Sequence, residues 1–337
     1  MNKCKMLLID ALYINYGGAL SLLRYLVNTL QEKNVEFYML ADERCCGELD
    51  TVAHIEYRRA TLSERRNFYK DHESDYTAVF CFGNVPPPIR LKVPVYTYFH
   101  NINMLTLTDC RNKKQLVMFW LKRAYIKHYR NNTDEWFVQT SNTANELINH
   151  LCVSSEKVKL YPFYKLPVFP KASGERKDYI FVGEYSGSKG HDELLEAWKV
   201  LHEKDVDLTL HLTVSLGDAF HNKLLEAIGQ GVRIINHGYI PSEELAKLYV
   251  QCKATIYPSY NESFGLGLIE AMEAGCDVIA SDRPFVHTIC EPSEVFNPVL
   301  PNTIVEAVLK YEEGKSSKSV LTVRNKVNEL IEEICNK

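Results

Sequence analysis

Two runs of alternating strand and helix patterns, separated by a proline-rich stretch, restrict this 337-residue chain to a pair of α/β domains. The first run opens with KMLLID, a short apolar strand pattern, then the loop YINYGG. ALSLLRYLVNTLQEK follows, its apolar residues recurring at three- and four-residue spacing as on a buried helix face. EFYMLAD, TAVFCFG, VPVYTYFHN and EWFVQTS repeat the strand pattern, with helical segments among them. Strands that alternate with helices pair in parallel, and the helices cover both faces of the sheet. Residues 161–177, YPFYKLPVFPKASGERK, carry three prolines and a glycine without periodicity and read as a linker. After it the pattern restarts with DYIFVGE and runs through LTLHLTV, VRIINHGYI, ATIYPS and CDVIAS, each pair of strands separated by a helix. The expected boundaries are a first domain over 1–165, a second over 166–318 and a C-terminal helix over 319–337.

Composition is that of an ordinary soluble protein, with 46% hydrophobic and 24% charged residues. The net charge of −4 hides an asymmetry, because residues 1–168 hold 22 Lys/Arg against 17 Asp/Glu and the remainder 17 against 26. Ten cysteines are scattered without a C-x-x-C pair or a Cys/His cluster at zinc spacing, which suggests buried thiols in a reducing cytoplasm. The apolar run at the N-terminus is broken by Asp10 and lacks a small-residue cleavage site, so a first strand explains it better than a signal peptide. No window carries about 18 uninterrupted apolar residues, so a spanning helix is not expected.

Chemistry concentrates at Glu262–Glu270, ESFGLGLIE, which follows the strand pattern TIYPSYN and leads into EAMEAG. A helix starting near Gly265 leaves the amides of Phe264, Gly265 and Leu266 unpaired. With the helix dipole they suit a phosphate. Glu270 then lies inside the helix, about 1.5 Å of rise per residue beyond the phosphate, where ribose hydroxyls could donate to it. Taken singly, Glu262 could merely complement the helix dipole and Glu270 could be a solvated side chain. Other candidates are Gly17 and Gly18, in a strand-to-helix turn, and His100 at the carboxyl end of a strand, where ligands sit in open α/β sheets. Residues 111–132 hold seven Lys/Arg, no acid and several aromatics. They suit anionic lipid headgroups or a lipid-diphosphate acceptor, or else pack an apolar stripe on the sheet and leave their cations solvated. Asp205-Val206-Asp207 has the D-x-D form of a metal-holding motif but precedes a strand as turn residues do, so no metal site is assigned.

Pro258, Ser259, Glu262, Phe264, Gly265, Glu270, Ala271, Met272 and Gly275 match a PS-x-x-E-x-FG-x-x-x-x-EAM-x-x-G pattern. The segment thereby resembles the signature of retaining glycosyltransferase family four, which has the GT-B architecture of two Rossmann-like domains facing each other across a cleft. The resemblance implies that Glu262 contacts the donor sugar, that Glu270 contacts the ribose, and that the backbone from Ser263 to Leu266 holds the diphosphate. It further implies a glycine-rich loop at Gly17 and Gly18 near the donor phosphates, His100 against the donor sugar, a basic clamp at Lys189, and backbone near Tyr239 meeting the base. Enzymes of this kind generally need no metal or cofactor, and their last helix returns to the first domain. This chain departs from the pattern at Glu184, where an arginine commonly stands, so one of two expected cations is missing.

The activity implied is transfer of a sugar from a nucleotide-diphosphate-sugar to a saccharide or lipid-linked saccharide, in surface polysaccharide biosynthesis. The expected location is the cytoplasm, peripheral at the inner face of the membrane, with no nucleic-acid partner. A GT-B nucleotide-sugar epimerase and a non-catalytic nucleotide-sugar-binding subunit stay open as alternatives. A dinucleotide-dependent dehydrogenase does not, because Glu270 occupies the third glycine position of the nearest G-x-G-x-x-G.

Overall fold

The computed structural model describes residues 6–72, 75–107, 113–172, 174–215 and 219–335. Lys5, Arg111, Asn112, Ser173, Asn336 and Lys337, which fall within segments assigned above, lie outside them.

The chain divides into two compact units, one of residues 1–165 with 324–337 and one of 166–323. In the first, β1 (Met6–Ala11), α1 (Gly17–Glu32), β2 (Phe37–Asp42), β3 (Ile55–Arg58), α2 (Leu62–Asp71), β4 (Tyr76–Cys81) and β5 (Val95–Phe99) come first. Then follow α3 (Asn103–Thr106), α4 (Lys113–Tyr129), β6 (Glu135–Val138), α5 (Ser141–Leu151) and β7 (Val158–Leu160). The strands form one parallel sheet in the order β3-β2-β1-β4-β5-β6-β7. Because helices cover both faces, the central strands are apolar almost throughout, as in Leu7, Leu8 and Ile9 or Val79 and Phe80, all buried. Local capping agrees with the pattern: the Thr61 hydroxyl accepts from the Glu64 amide at 3.2 Å to start α2, and Thr140 accepts from Thr143 at 3.1 Å to start α5.

The second unit comprises β8 (Asp178–Phe181), α6 (His191–Glu203), β9 (Leu210–Leu212), α7 (Ala219–Gly229), β10 (Ile234–Asn236), α8 (Ser242–Tyr249), β11 (Cys252–Tyr257) and α9 (Leu266–Glu273). It continues with β12 (Asp277–Ser281), α10 (Pro284–His287), β13 (Cys290–Glu291), β14 (Glu294–Phe296), α11 (Pro301–Glu312) and β15 (Val320–Leu321). Its parallel sheet runs β10-β9-β8-β11-β12-β14. In each sheet the order reverses once, between β1 and β4 in the first and between β8 and β11 in the second. Chain segments leaving such neighbours in opposite directions open a crevice at the carboxyl ends of the strands.

The last helix, α12 (Val327–Cys335), is shorter than the 319–337 read from the sequence. Val320–Leu321 pairs antiparallel with Cys290–Glu291 instead, and Asn325 caps the helix by accepting from the Val327 amide at 3.1 Å. Val327, Leu330, Ile331 and Ile334 of α12 are buried in the first unit's core with Leu23, Leu26 and Leu30 of α1. Asn325 also donates to the Tyr164 carbonyl at 2.6 Å and to the Tyr25 hydroxyl at 3.1 Å.

One expectation needs correction: the thiols are not uniformly buried, since Cys46, Cys152 and Cys335 are exposed, each beside a loop or chain end. Among the basic residues of the first unit, Arg65 is 1% exposed. Its guanidinium donates to Asp10 at 2.7 Å and to the Pro86 and Val85 carbonyls at 2.6 and 2.8 Å, because a buried cation must find all its acceptors inside.

Candidate active site

The strand-order reversal of the second unit brings two loops together, one after β8 and one after β11. The Tyr260 amide donates to the Ser188 carbonyl at 2.8 Å. Gly190, at φ +66°, caps α6, and a Cβ added there would stand 2.4 Å from the Pro258 carbonyl oxygen, so only glycine lets the loops close to this separation. Ser259 is fully buried, and its carbonyl accepts from the Ser281 hydroxyl at 2.6 Å. The loops thus register Lys189 against Glu262, and the two form an ion pair. The Tyr257 hydroxyl donates to the same Glu262 oxygen at 3.3 Å, and the Lys189 ammonium lies 5.9 Å from the Tyr257 ring centre. Burial first, then the Glu262 charge, push the Tyr257 phenol well above its ordinary range, so it stays a donor.

Beyond Glu262 the chain enters α9. Gly265 is its N-cap at φ +79°, and a Cβ there would meet the Leu268, Phe285 and Ile289 side chains at 3.4–3.9 Å. Ser263 is half-buried, Phe264 is buried and Leu266, the first helical residue, is 38% exposed. Glu262 thus precedes the N-cap of α9 by three residues, and the Leu268 amide closes the first turn on the Gly265 carbonyl at 3.0 Å. Glu270, the fifth residue of α9, is largely buried, and burial raises its carboxyl to about 7. Gly267 lets Tyr257 approach: an added Cβ would meet the Tyr257 ring at 3.2 Å.

Glu184, standing where an arginine was expected, is not a free anion in this crevice. Its carboxylate accepts from the Ser215 hydroxyl at 2.6 Å and the Ser215 amide at 3.2 Å, fastening the loop after β9. Tyr239 lies past the end of β10 and is 84% exposed, so strand packing does not account for it. The loops after β9 and β10 are joined by Asn236, which accepts from the Val214 amide at 3.0 Å and donates to the Val214 carbonyl at 2.9 Å. Asp205 has φ 57°, and Asp207 pairs with Arg233, both as turn residues.

In the first unit, Gly17 opens α1 and Gly18 follows, both exposed and with nothing within 4 Å of an added Cβ. His100 immediately follows β5. Its backbone N–H donates to Asn84 Oδ1 at 2.7 Å, and its Nε2 lies 3.2 Å from Asn84 Nδ2. Burial alone drops the imidazole to about 4, so the ring is neutral. Gly17 and His100 flank the reversal of the first sheet, on the loops after β1 and β5, with Asn84 on the loop after β4 between them.

Of the residues singled out in the sequence, the structure brings Lys189 against Glu262; the contacts made by Asn84, Tyr257 and Asn236 and the close approach at Gly190 were not anticipated. Only the Gly83-Asn84 dipeptide at a strand end and the glycine at a helix start carried any signal for these.

The family model describing glycosyl transferases group 1 matches residues 166–328. The O-antigen chain mannosyltransferase B of Escherichia coli is 27% identical over 180 residues, which is 52% of this chain and 47% of that protein. A D-inositol 3-phosphate glycosyltransferase of Corynebacterium aurimucosum is 34% identical over 114 residues, 31% of this chain and 27% of its own length. The matches thus span between about a quarter and half of these curated relatives. The solved structure of WaaG, a glycosyltransferase involved in lipopolysaccharide biosynthesis, is similar at TM-score 0.63 and 13% identity, covering 98% of this chain and all of that one. That of the lipopolysaccharide outer core galactosyltransferase WaaB gives 0.62 and 14%, covering 98% and 95%. At that identity the likeness shows the fold, which is GT-B.

Proposed function

We propose that this chain, whose residues 166–328 match the model of glycosyl transferases group 1, is a retaining glycosyltransferase. Its donor is a nucleotide-diphosphate-sugar and its acceptor a saccharide or lipid-linked saccharide of a surface polysaccharide. The observation that carries the reading is the alignment of Lys189 and Glu262 beside the N-terminus of α9, at the reversal of the strand order. The relatives' names, an O-antigen mannosyltransferase among them, support the acceptor class.

Glycosyl transfer passes through an oxocarbenium-like state, with negative charge growing on the leaving diphosphate and positive charge on the sugar carbon. The first-turn amides of α9, with Gly265 and Leu266 at their head, and the Lys189 ammonium face the first charge. Glu262 faces the second, and the departing phosphate oxygen takes the acceptor's proton. Glu270 accepts from the ribose, and the backbone at Tyr239 meets the base. Gly17, Gly18 and the His100 ring are further donor contacts in this proposal, on the strength of the family resemblance. With a helix terminus and a lysine in the electrostatic role, no metal or cofactor is assigned.

Peripheral membrane contact through residues 111–132 belongs to the same proposal, as does a cytoplasmic location at the inner face. Among the described residues no helix is long and apolar enough to cross a membrane. Leu116, Val117, Met118, Trp120 and Leu121 of α4 are nevertheless 41–56% exposed among lysines, and in this helix only Ile126 is buried.

The test is turnover of UDP-, GDP- and ADP-sugars, with acceptors and without, in parallel with thermal shift by the same ligands. The proposal expects one donor class to raise the melting temperature, and Glu262→Ala to lose at least 100-fold in turnover while still binding nucleotide. Binding without turnover on any acceptor would instead identify a nucleotide-sugar-binding subunit. Release of an altered sugar without acceptor would identify an epimerase.

A further inference from the structure

Asn84 contacts His100 through both ends of its amide. The His100 backbone N–H can only donate, so the atom it meets at 2.7 Å must be the Asn84 carbonyl oxygen. The other end is then the NH2 group, which can only donate, and it faces Nε2 of His100 at 3.2 Å. Nε2 must therefore be the unprotonated nitrogen. A neutral imidazole carries one proton, so that proton is on Nδ1. The usual freedom to flip an amide or choose a tautomer is removed here by a backbone donor.

The clamp itself is held rigidly. Asn84 is 4% exposed and has φ 64°, a left-handed conformation that asparagine tolerates better than most residues. The preceding Gly83 lies against Tyr13, so that an added Cβ would meet the Tyr13 Cβ at 3.3 Å, and the loop after β4 is wedged against the loop after β1. The His100 ring is flanked by Phe82 and Tyr98, at 5.1 and 6.0 Å between ring centres. Its Nδ1 is buried and has no hydrogen-bond partner among the described residues. A buried N–H without an acceptor is destabilising, and an oxygen placed against it would offset that.

We propose that Asn84 is a positioning residue that holds His100 in the Nδ1–H tautomer, so that this N–H is the donor reserved for an oxygen of the substrate. The proposal rests on the reading of His100 as a contact to the donor sugar. A neutral donor of this kind suits a sugar hydroxyl. An imidazolium is excluded by the same clamp, because a proton on Nε2 would point at the Asn84 NH2. Burial alone weakens the basicity of the ring and keeps it neutral, and the Asn84 contacts decide which nitrogen carries its one proton.

Ring-nitrogen NMR of 15N-histidine-labelled protein tests this without any need for turnover, the His100 signals being assigned by their loss in His100→Gln. Wild-type protein should show a protonated Nδ1 and an unprotonated Nε2 throughout pH 5.5–8. Asn84→Asp puts a carboxylate oxygen opposite Nε2 and should move the proton to Nε2 or make the ring titrate within that range. Asn84→Gly keeps the left-handed backbone and should leave a mixture of tautomers, which serves if the aspartate variant does not fold. In turnover assays Asn84→Asp should lower kcat/KM about tenfold or more and give it a pH profile different from that of wild type. An Nε2–H tautomer in wild type, titration of His100 near its ordinary range, or unchanged ring signals in both variants would overturn the proposal. If no nucleotide sugar is turned over, the function fails, and the ring signals still decide the clamp.

Discussion

Lys189 and Glu262 neutralise each other across two loops, with Tyr257 donating to the same carboxylate oxygen. The one cation of the expected phosphate clamp is therefore engaged before any diphosphate arrives, and Glu184 supplies no second one. Binding a diphosphate must exchange one anion for another at Lys189.

Replacing Glu262 by Gln should strengthen binding of a nucleoside diphosphate several-fold, since the competing charge is gone, even as transfer is lost. Lys189→Ala should weaken binding by tenfold or more, the equivalent of about 1.5–3 kcal/mol for a hydrogen bond to a charged group. Calorimetric titration with the free diphosphates checks both, and equal weakening in the two variants would show that the pair binds as a unit.

Glu270 should make both stability and donor binding depend on pH. Its folded-state carboxyl is raised to about 7 from 4.5, so between those values the unfolded chain releases a proton that the folded chain keeps. Stability contributed by this group is fully present below about pH 4.5, falls as pH rises towards 7, and is flat above it. Glu270→Gln should therefore stabilise the protein at pH 8 by on the order of 2 kcal/mol and leave it little changed at pH 4.5, as read by denaturant unfolding. A ribose hydroxyl donates better to the ionised carboxylate, so donor affinity should rise through pH 7 in wild type and lose that dependence in Glu270→Gln.

Gly190→Ala should cost about 2–4 kcal/mol, from a left-handed backbone and from overlap with the Pro258 carbonyl. A lowered melting temperature together with weaker diphosphate binding is expected, because the contact that closes the two loops also aligns Lys189 with Glu262.

Helix α4 should bind vesicles containing anionic lipid and release them as salt rises, since Lys113, Lys114, Lys122 and Lys127 surround its exposed apolar residues. Trp120→Glu combined with Leu121→Glu should abolish sedimentation with vesicles without lowering the melting temperature, because both side chains are more than half exposed. Retained binding to neutral vesicles alone would exclude the electrostatic contribution.

Much of this molecule was legible in the sequence, for reasons that are local. Apolar runs such as MLLID and TAVF, spaced by helical periodicity, determine parallel α/β units because both faces of each sheet must be covered. The PSYNESFG turn and the glycine at its end determine where a helix begins and which amides it leaves free. What the tertiary structure alone decided is which distant side chains meet. Lys189 reaches Glu262 across 73 residues because β8 and β11 lie side by side where the strand order reverses. Asn84 meets His100 through the adjacent loops after β4 and β5, and Arg65 is drawn inside by Asp10, 55 residues away. The weakened acidity of Glu270 follows from its burial in the folded chain. Periodicity and turn chemistry act over a few residues, whereas ion pairing, tautomer and burial depend on the order in which strands assemble, and no local pattern records that.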